Sequence, residues 1–191
     1  AVTGIDILER NLRRSAELIH SFKQVAIDQS SSLARKFNLA TVVAEMLLTL
    51  SPMLKKTPFV VRQEIPTDLV LDSFPGPLEQ VLMNLINNAV IHGFEGRTSG
   101  LITISAQLVR ADQLELVLQD NGIGITPERI KRIFDPFFST KFGKGGSGLG
   151  LSVSRNIVTR LLGGKIEVSS TPEQGARFTL TLPLQQGSAH V

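Results

Sequence analysis

Apolar residues recur at helical spacing near the start of the chain, where they form a narrow seam. They are alternately three and four residues apart once Ser15 is counted, a spacing typical of a coiled coil or an antiparallel helix pair. The seam consists of Ile5, Leu8, Leu12, Ile19, Phe22 and Ala26. Because a lone helix with so narrow a seam is marginal in water, we expect residues 1–36 to form a helix and linker that need a helical partner.

From Phe37 onward, stretches with helical spacing are mixed with shorter, strand-like stretches. Helices are predicted at Leu39–Leu50, Leu78–His92, Pro127–Phe134 and Ser147–Leu162. Strands are predicted at Phe59–Ile65, Leu69–Leu71, Ile102–Leu108, Leu114–Leu118, Lys165–Ser169 and Arg177–Leu182. This order indicates an α+β fold, a two-layer sandwich in which helices cover one face of a mixed, mostly antiparallel sheet. We expect this domain to span residues 37–184, with a short tail at 185–191.

The composition excludes several classes of function. The formal net charge is only +3 and the chain has no Trp or Tyr to stack on bases, so nucleic acid is not an expected partner. There is no Cys, which excludes disulfides and thiolate metal sites. No apolar run approaches the ~18 residues of a membrane span. We therefore expect no direct membrane contact and a cytoplasmic location, with membrane anchoring of a longer parent protein left open.

Three polar side chains form a stripe on the predicted helix Leu78–His92. Asn84, Asn88 and His92 are four residues apart and therefore share one face of the helix. Such a stripe is either a polar helix edge or a ligand site. Buried amides need partners, and Mg²⁺ with phosphates is a suitable one because this ion prefers oxygen ligands.

A second polar cluster, Asp120-Asn121-Gly122-Ile123-Gly124, follows an apolar strand directly. Glycines at this position let a backbone approach a flat or charged ligand closely. An acid at the end of the strand can accept a hydrogen bond from an exocyclic amino group, which contributes about 1.5–3 kcal/mol when one partner is charged. The alternative is a plain turn, because Asp, Asn and Gly are favoured turn residues.

The third candidate is a Gly-rich stretch, residues 143–150, that runs into a predicted helix. Small residues before a helix N-terminus expose backbone N–H groups and the positive end of the helix dipole, which together bind anions. The stretch is not a P-loop, because no Lys followed by Ser or Thr closes it. It is not a Rossmann fingerprint either, because no strand precedes it directly.

Together and in this order, the three motifs resemble the histidine-kinase branch of the superfamily of ATPases that includes gyrase, heat-shock chaperones and mismatch-repair proteins. The resemblance extends from about Phe37 to Leu184. In it, Asn84–His92 corresponds to the N box, Asp120–Gly124 to the first glycine box, Ile133–Lys141 to the F box and Gly146–Leu151 to the second glycine box. It implies a Bergerat-type ATP-binding fold with ATP and Mg²⁺ as ligands.

The resemblance also implies roles for individual residues. Asn88 would coordinate Mg²⁺ with Asn84 close to it, and His92 would reach toward a phosphate. Asp120 would hold the adenine amino group. The other residues expected to contact the nucleotide are Gly122, Gly124, Ile125, Phe137, Lys141, Gly146, Ser147, Gly148, Leu149, Gly150 and Leu151. Phe137 and its neighbour Phe138 would anchor a mobile lid that carries Lys141, and His92 and Lys141 would be the catalytic side chains.

One departure from the superfamily pattern bears on the reaction. Its ATPases carry, four residues before the Mg²⁺-binding Asn, a Glu that activates water. Asn84 stands there in this chain and cannot act as a base, which favours transfer to a side chain over hydrolysis. Ile91 and Ala176 also replace residues that are common in the family. An ATP-hydrolysing clamp and a non-catalytic ATP-binding module remain the alternatives.

A histidine kinase also needs a phosphoacceptor His followed by an acid and, a few residues on, by Arg and Pro. His20, His92 and His190 all lack this context. Residues 1–36 instead resemble the second helix of the family's dimerisation hairpin. We therefore expect the acceptor on a helix hairpin that this sequence does not complete, a homodimeric full protein and a response regulator as partner. We do not expect this chain to phosphorylate itself.

Overall fold

The computed structural model describes residues 33–139 and 148–185. The seam helix predicted near the start, the stretch that carries Lys141, Gly146 and Ser147, and the end of the tail lie outside these ranges. The strands are β1 (Arg35–Asn38), β2 (Phe59–Glu64), β3 (Val70–Ser73), β4 (Gly100–Arg110), β5 (Gln113–Asp120), β6 (Lys165–Ser170) and β7 (Ala176–Pro183). The helices are α1 (Leu39–Leu54), α2 (Pro75–Asn88), α3 (Pro127–Ile130) and α4 (Gly150–Asn156).

Five strands form one mixed sheet, and two form a small separate one. The order of the large sheet is β2-β4-β5-β7-β6, with β2 parallel to β4 and every other pair antiparallel. The parallel pair needs a crossover connection, which β3 and α2 provide between β2 and β4. Strands β1 and β3 pair antiparallel beside it. The predicted mixed, mostly antiparallel sheet is confirmed.

The helices cover one face of the large sheet, as predicted. Burial alternates along β7, where every second residue from Ala176 is buried, and the register places these side chains beside Leu114, Leu116 and Leu118 of β5. The apolar side of α2 packs on this face with fully buried side chains such as Leu82. Burying side chains of this kind contributes about 1.5–3 kcal/mol each, so this layer is the main source of stability. No helix within the described ranges combines the length and the apolar character needed to cross a bilayer.

Several element boundaries differ from the sequence-based predictions. Strand β1 was not predicted, because only Phe37 of its four residues is buried and its signal depends on pairing with β3. Helix α3 was expected to continue to Phe134, but it ends at Ile130 and is followed by turns with bonds from N–H groups to carbonyls three residues earlier. Helix α4 begins at Gly150 rather than Ser147, which is outside the described ranges.

Both helices that reach the candidate site end in a wider π-helical turn. Helix α2 continues as a π turn at Ala89–Gly93, which the hydrogen bond from Phe94 N–H to the Ala89 carbonyl closes at 2.9 Å. Helix α4 continues in the same way at Ile157–Leu161. Such turns are frequent at functional sites because they redirect side chains at the end of a helix. Here the turn after α2 carries His92, so the predicted straight stripe bends at its last member.

Candidate nucleotide-binding site

A cavity of about 440 Å³ lies between the end of α2, the loop after β5 and the start of α4. This volume is in the range of small-molecule sites. The predicted residues that line it are Asn84, Asn88, His92, Asp120, Gly124, Ile125, Gly148, Gly150 and Leu151. Residues separated by more than 60 positions in the sequence therefore meet at one cavity.

Asp120 reaches this cavity because of the alternation along β5. It follows Leu114, Leu116 and Leu118 on the face of the sheet that the helices cover, and it is the last residue of the strand. Asp120 is consequently only 4% exposed. It continues the row of apolar core residues and lies where the core borders the cavity. A carboxylate with little solvent needs hydrogen-bond donors from the protein or from a ligand.

Two backbone N–H groups bind one oxygen of this carboxylate. Gly122 N–H donates to Asp120 Oδ1 at 2.9 Å, and Ala176 N–H donates to the same oxygen at 3.3 Å. Oδ2 is thereby left as the acceptor for a ligand. Burial raises the pKa of the Asp120 carboxyl above its ordinary value, and the hydrogen bonds from Gly122 and Ala176 offset part of this rise. Sequence reasoning missed Ala176 as a contact because a main-chain donor leaves no side-chain signal.

Glycines hold the loop after β5 against its neighbours. A Cβ at Gly122 would overlap the carbonyl oxygen of Gly93, and one at Gly124 would overlap that of Thr171. Gly124 also has a φ of 72°, a left-handed conformation that favours glycine. The sequence predicted close approach to a ligand at these positions. In the structure the close approach is to other backbone segments, and it shapes the cavity wall.

Asn84 connects the two helices that flank the cavity. Its amide Nδ2 donates to the Gly150 carbonyl at 3.4 Å and to Ser154 Oγ at 3.3 Å. The buried hydroxyl of Ser154 and the first turn of α4 are thus held beside α2. Both hydrogen bonds use the amide nitrogen, so Oδ1 is the atom of Asn84 that can bind a cation.

Asn88 has a buried polar atom that the protein does not satisfy. Its Nδ2 has no hydrogen-bond partner among residues 33–139 and 148–185, although it is shielded from solvent. Such an orphaned group costs about 1–3 kcal/mol. A phosphate oxygen in the cavity would supply the missing acceptor. The cost is therefore consistent with a site built for an anionic ligand.

The donor set around Asn88 also fits Mg²⁺ bound together with phosphates. In the described part of the chain, no group of three or more His, Cys, Asp or Glu side chains could hold a metal by itself. Mg²⁺ does not need such a cage, since it usually binds one or two protein oxygens together with phosphate oxygens and water. Oδ1 of Asn88 and Oδ1 of Asn84 are the oxygens that would hold it.

Three predicted contact residues lie beside the cavity without lining it. These are Gly122, Phe137 and Leu149. Phe137 is 38% exposed, and it is the neighbouring Phe138 that lines the cavity. The other lining residues that the prediction did not include are Asn87, Ala89, Ile91, Gly93, Glu95, Ile123, Arg129, Ile133, Ser139, Ala176 and Phe178. Several of them adjoin predicted residues, so a wider reading of each motif would have included them.

The fold and the site define a class of protein: a nucleotide-binding domain in which a mixed sheet is covered on one face by helices that carry amide side chains to a cavity. Residues 75–186 match the family described as histidine kinase-, DNA gyrase B-, and HSP90-like ATPase. The chain belongs to this family, and within it the chain contains the ATP-binding catalytic domain of a sensor histidine kinase.

Curated relatives with similar sequences include sensory kinases and sensor proteins. The chain is 33% identical over 188 residues to the adaptive-response sensory kinase SasA of Synechococcus sp. (strain CC9311), covering 95% of this chain and 48% of that protein. It is 42% identical over 107 residues to the alginate biosynthesis sensor protein KinB of Pseudomonas aeruginosa, covering 56% and 17%. The chain thus spans about half the length of the SasA relatives and less of KinB.

Solved structures of histidine kinases share the fold. The catalytic domain of the histidine kinase ThkA has a TM-score of 0.70 and 29% identity, covering 80% of this chain and 97% of that one. A structure of ThkA in complex with the response regulator protein TrrA also gives a TM-score of 0.70, with 26% identity, and covers 94% of this chain and 50% of that one.

Proposed function

We propose that this domain binds ATP with Mg²⁺ and donates the γ-phosphate to a histidine on a helix hairpin, in a two-component signalling protein. The buried carboxylate of Asp120 carries the proposal. Its Oδ1 already accepts from two backbone N–H groups, Oδ2 accepts from none in the described ranges, and Asp120 lines a cavity of suitable size. A carboxylate in this arrangement selects a ligand with an N–H donor, such as the amino group of adenine.

Asp120 also provides a reason for base selectivity. Guanine has a carbonyl where adenine has its amino group, and a carbonyl opposite a carboxylate would leave two acceptors facing each other. A site that hydrogen-bonds one donor discriminates strongly against an analogue that lacks it. Ile123 and Ile125, which line the same part of the cavity, would contact the flat faces of the base.

At the other end of the cavity, α2 and α4 would hold the phosphates. The unsatisfied Nδ2 of Asn88 would donate to a phosphate oxygen, and the amide oxygens of Asn88 and Asn84 would hold Mg²⁺. The ion, when bound, would neutralise charge on the transferring phosphoryl group. Backbone N–H groups at Gly148–Gly150 lie at the start of α4, where the helix dipole favours negative charge. His92 also lines this region, and Lys141 would approach from the lid.

The chemistry of Asn84 favours transfer over hydrolysis. An amide cannot take a proton from water at neutral pH, and the nitrogen of this amide is occupied by Gly150 and Ser154. Without a general base at this position, an attacking water would lack activation. We therefore propose a side-chain nucleophile, the acceptor histidine of a dimerisation hairpin, with a response regulator as the next acceptor. Because ATP is a cytoplasmic nucleotide, the domain would act in the cytoplasm.

The proposal is tested by thermal unfolding with and without Mg-ATP. Ligand at about 100 times its dissociation constant should add about 2.7 kcal/mol to the free energy of unfolding, and so raise the melting temperature. Mg²⁺ alone and ATP with EDTA serve as controls, and we expect both to give a smaller shift. An unchanged melting temperature with saturating Mg-ATP would favour a module that has the fold without the nucleotide.

A second measurement separates the kinase from an ATP-hydrolysing clamp. The purified chain is incubated with Mg-ATP, and released phosphate is followed over many turnovers. We expect only slow release, because Asn84 supplies no base. Sustained release that stops when Asn88 is replaced by Ala would assign the cavity to hydrolysis instead.

A further inference from the structure

Three chain segments meet next to Asp120, and each contributes at least one residue to the lining of the cavity. The first is the loop Gly93–Arg97 after α2, the second is the loop Asp120–Ile125 after β5, and the third is the turn Ser170–Ala176 between β6 and β7. Gly93, Glu95, Ile123, Gly124 and Ile125 line the cavity from the first two segments. The distance between these segments therefore sets the width of the cavity where the base would bind.

Backbone hydrogen bonds join the second segment to each of the other two. Ile123 N–H donates to the Gly93 carbonyl at 2.8 Å, and Glu173 N–H donates to the Ile123 carbonyl at 2.8 Å. The third segment also supplies the Ala176 N–H that binds Asp120 Oδ1. The middle loop is thus fixed from both sides, with Asp120 as one of its anchored groups.

One ion pair joins the first segment to the third, the two segments that these backbone hydrogen bonds do not connect directly. Arg97 Nη2 lies 2.7 Å from Glu173 Oε2, so the first segment is joined directly to the third. The two side chains are 37% and 75% exposed, and a pair so exposed contributes little to global stability. A short contact between loops that both border a ligand site can nevertheless hold their spacing.

The backbone of Glu173 is consistent with a positional role. Its φ is 64°, in the left-handed region where a residue with a Cβ is strained. Glycine would occupy this position without strain, but it would lack the carboxylate that Arg97 binds. In this conformation the N–H of Glu173 donates to the Ile123 carbonyl, and its carboxylate pairs with Arg97.

We infer that Arg97 and Glu173 are positioning residues that close the purine end of the cavity and hold Asp120 at the distance that adenine requires. This inference rests on the proposed function, because it assigns the pair a role in the binding of that ligand. It makes the pair a determinant of affinity for ATP and of preference for the adenine base.

The test compares Arg97→Ala, Glu173→Gln and Glu173→Gly with the unsubstituted chain, using calorimetric titration with Mg-ATP and with Mg-ITP, which has a carbonyl in place of the amino group. We expect about two- to fivefold weaker ATP binding for each variant, the range expected when an exposed ion pair is lost. Binding of ITP should change less, because it does not use the Asp120 acceptor. Glu173→Gly relieves the strain, so its melting temperature should not fall although its ATP affinity does.

Two controls complete the experiment. Lys165–Glu167 is a second exposed ion pair, 2.8 Å long, on the face of the sheet away from the cavity, and Glu167→Gln should leave both affinities unchanged. The exchanged pair, Arg97→Glu with Glu173→Arg, should restore most of the ATP affinity.

The outcomes separate this inference from the proposed function. If the unsubstituted chain fails to bind Mg-ATP, the proposed function is wrong and the inference falls with it. If it binds ATP and Asp120→Asn weakens binding, but the three Arg97 and Glu173 variants bind like the unsubstituted chain, only the inference is overturned. Equal losses of ATP and ITP affinity with a lower melting temperature would also overturn it, because they would show general loosening.

Discussion

At the scale of single residues, the site depends on how one side chain divides its polar atoms between the protein and a ligand. Asp120 lines the cavity and uses Oδ1 for Gly122 and Ala176, which leaves Oδ2 as the acceptor for a ligand. Asn84 uses its amide nitrogen for Gly150 and Ser154, and its amide oxygen is left to bind a cation. Asn88 buries a nitrogen without any partner in the described ranges. Each of these three residues therefore has a polar atom that the protein does not use, and a ligand atom of the matching kind would bind it.

Replacing Asp120 by Asn tests whether one side-chain atom of this residue binds the protein and the other binds the ligand. The Asn Oδ1 can still accept from Gly122 and Ala176, so the fold should be retained. Nδ2 would then face the amino group of adenine, donor against donor, and we expect Mg-ATP to bind roughly 10- to 100-fold more weakly. Mg-ITP, whose carbonyl can accept from Nδ2, should lose less or gain. Unchanged preference for ATP over ITP in calorimetry would show that Asp120 does not contact the base.

The pH dependence of binding follows from the burial of Asp120. Burial raises the pKa of its carboxyl above the ordinary value of 3.8. Only the ionised form can accept the amino N–H through Oδ2, so ATP affinity should fall as the pH drops through this raised pKa, by about tenfold per pH unit below it. Titrations over a pH series measure this, and the part of the dependence that Asp120 causes should be lost in Asp120→Asn.

The raised pKa of Asp120 affects the stability of the fold in the opposite direction to ATP affinity. With a folded-state pKa above the unfolded value, the charged carboxylate opposes folding above the raised pKa, and this penalty is relieved as the pH falls through it. The contribution of Asp120 to stability should therefore not decrease in the pH range where ATP binding is lost. Unfolding measured over the same pH series separates loss of ligand from loss of fold.

At the scale of elements, the cavity is formed by loops that approach one another more closely than side chains would permit. Gly122 meets Gly93, Gly124 meets Thr171, and Gly175 meets the backbone of Asp120. These contacts bring the ends of β5, β7 and α2 together at one point. The strands and helices would form without them, but the site would not.

Gly175 and Gly96 form a matched pair of glycines for testing whether the close backbone contacts matter. Both have left-handed φ values, 83° and 74°, so an alanine is conformationally strained at either position. At Gly96 the added Cβ meets nothing within 4 Å, whereas at Gly175 it overlaps the carbonyl of Asp120. We expect Gly96→Ala to lower the free energy of unfolding by about 1–2 kcal/mol. Gly175→Ala should lower it by about 1–3 kcal/mol more because of the clash.

Chemical denaturation measures both free energies. Since Gly175 adjoins the N–H that binds Asp120, Gly175→Ala should also weaken Mg-ATP binding, and by more than Gly96→Ala, whose added Cβ contacts no part of the Asp120 loop. Equal unfolding free energies for the two variants would mean that the close approach at Gly175 is not a stabilising feature of the native state.

At the scale of the whole molecule, the chain contains the catalytic domain of a sensor histidine kinase, preceded by residues whose sequence has apolar positions at helical spacing. The proposed phosphoryl transfer needs an acceptor histidine in a suitable context, and none of the three histidines has one. The curated relatives are longer, because this chain spans about half of the SasA kinases. The proposed function therefore needs an acceptor histidine on a dimerisation hairpin other than the residues of this chain.

Incubation with γ-labelled ATP tests this division. The chain alone should form no acid-labile, base-stable phosphate, whereas addition of a dimerisation hairpin with its acceptor histidine should give such a product, dependent on Mg²⁺. The hairpin with that histidine replaced by Gln is the matched control and should remain unlabelled. Stable label on His20 in the chain alone would contradict the prediction.

Much of the architecture could be predicted because it depends on local periodicity. The alternation that predicted the hairpin of β4 and β5 also places Asp120 on the core face, and the helical spacing of α2 places Asn84 and Asn88 on one side. The strand β1 could not be predicted, because a single buried residue gives no periodicity. The end of α3 was also missed, because the turns after it are closed by local bonds that a helical pattern does not distinguish.

The sequence by itself determined the fold class and the three motifs of the site, because these follow from the order of residues along single helices, strands and loops. Only the tertiary structure decided which atoms remain for a ligand. Asp120 receives a hydrogen bond from Ala176, Asn84 donates to Ser154, and Arg97 pairs with Glu173 between two loops beside the cavity. These contacts join residues more than 50 positions apart. No periodicity records such contacts, since they arise only when packed elements bring distant loops together.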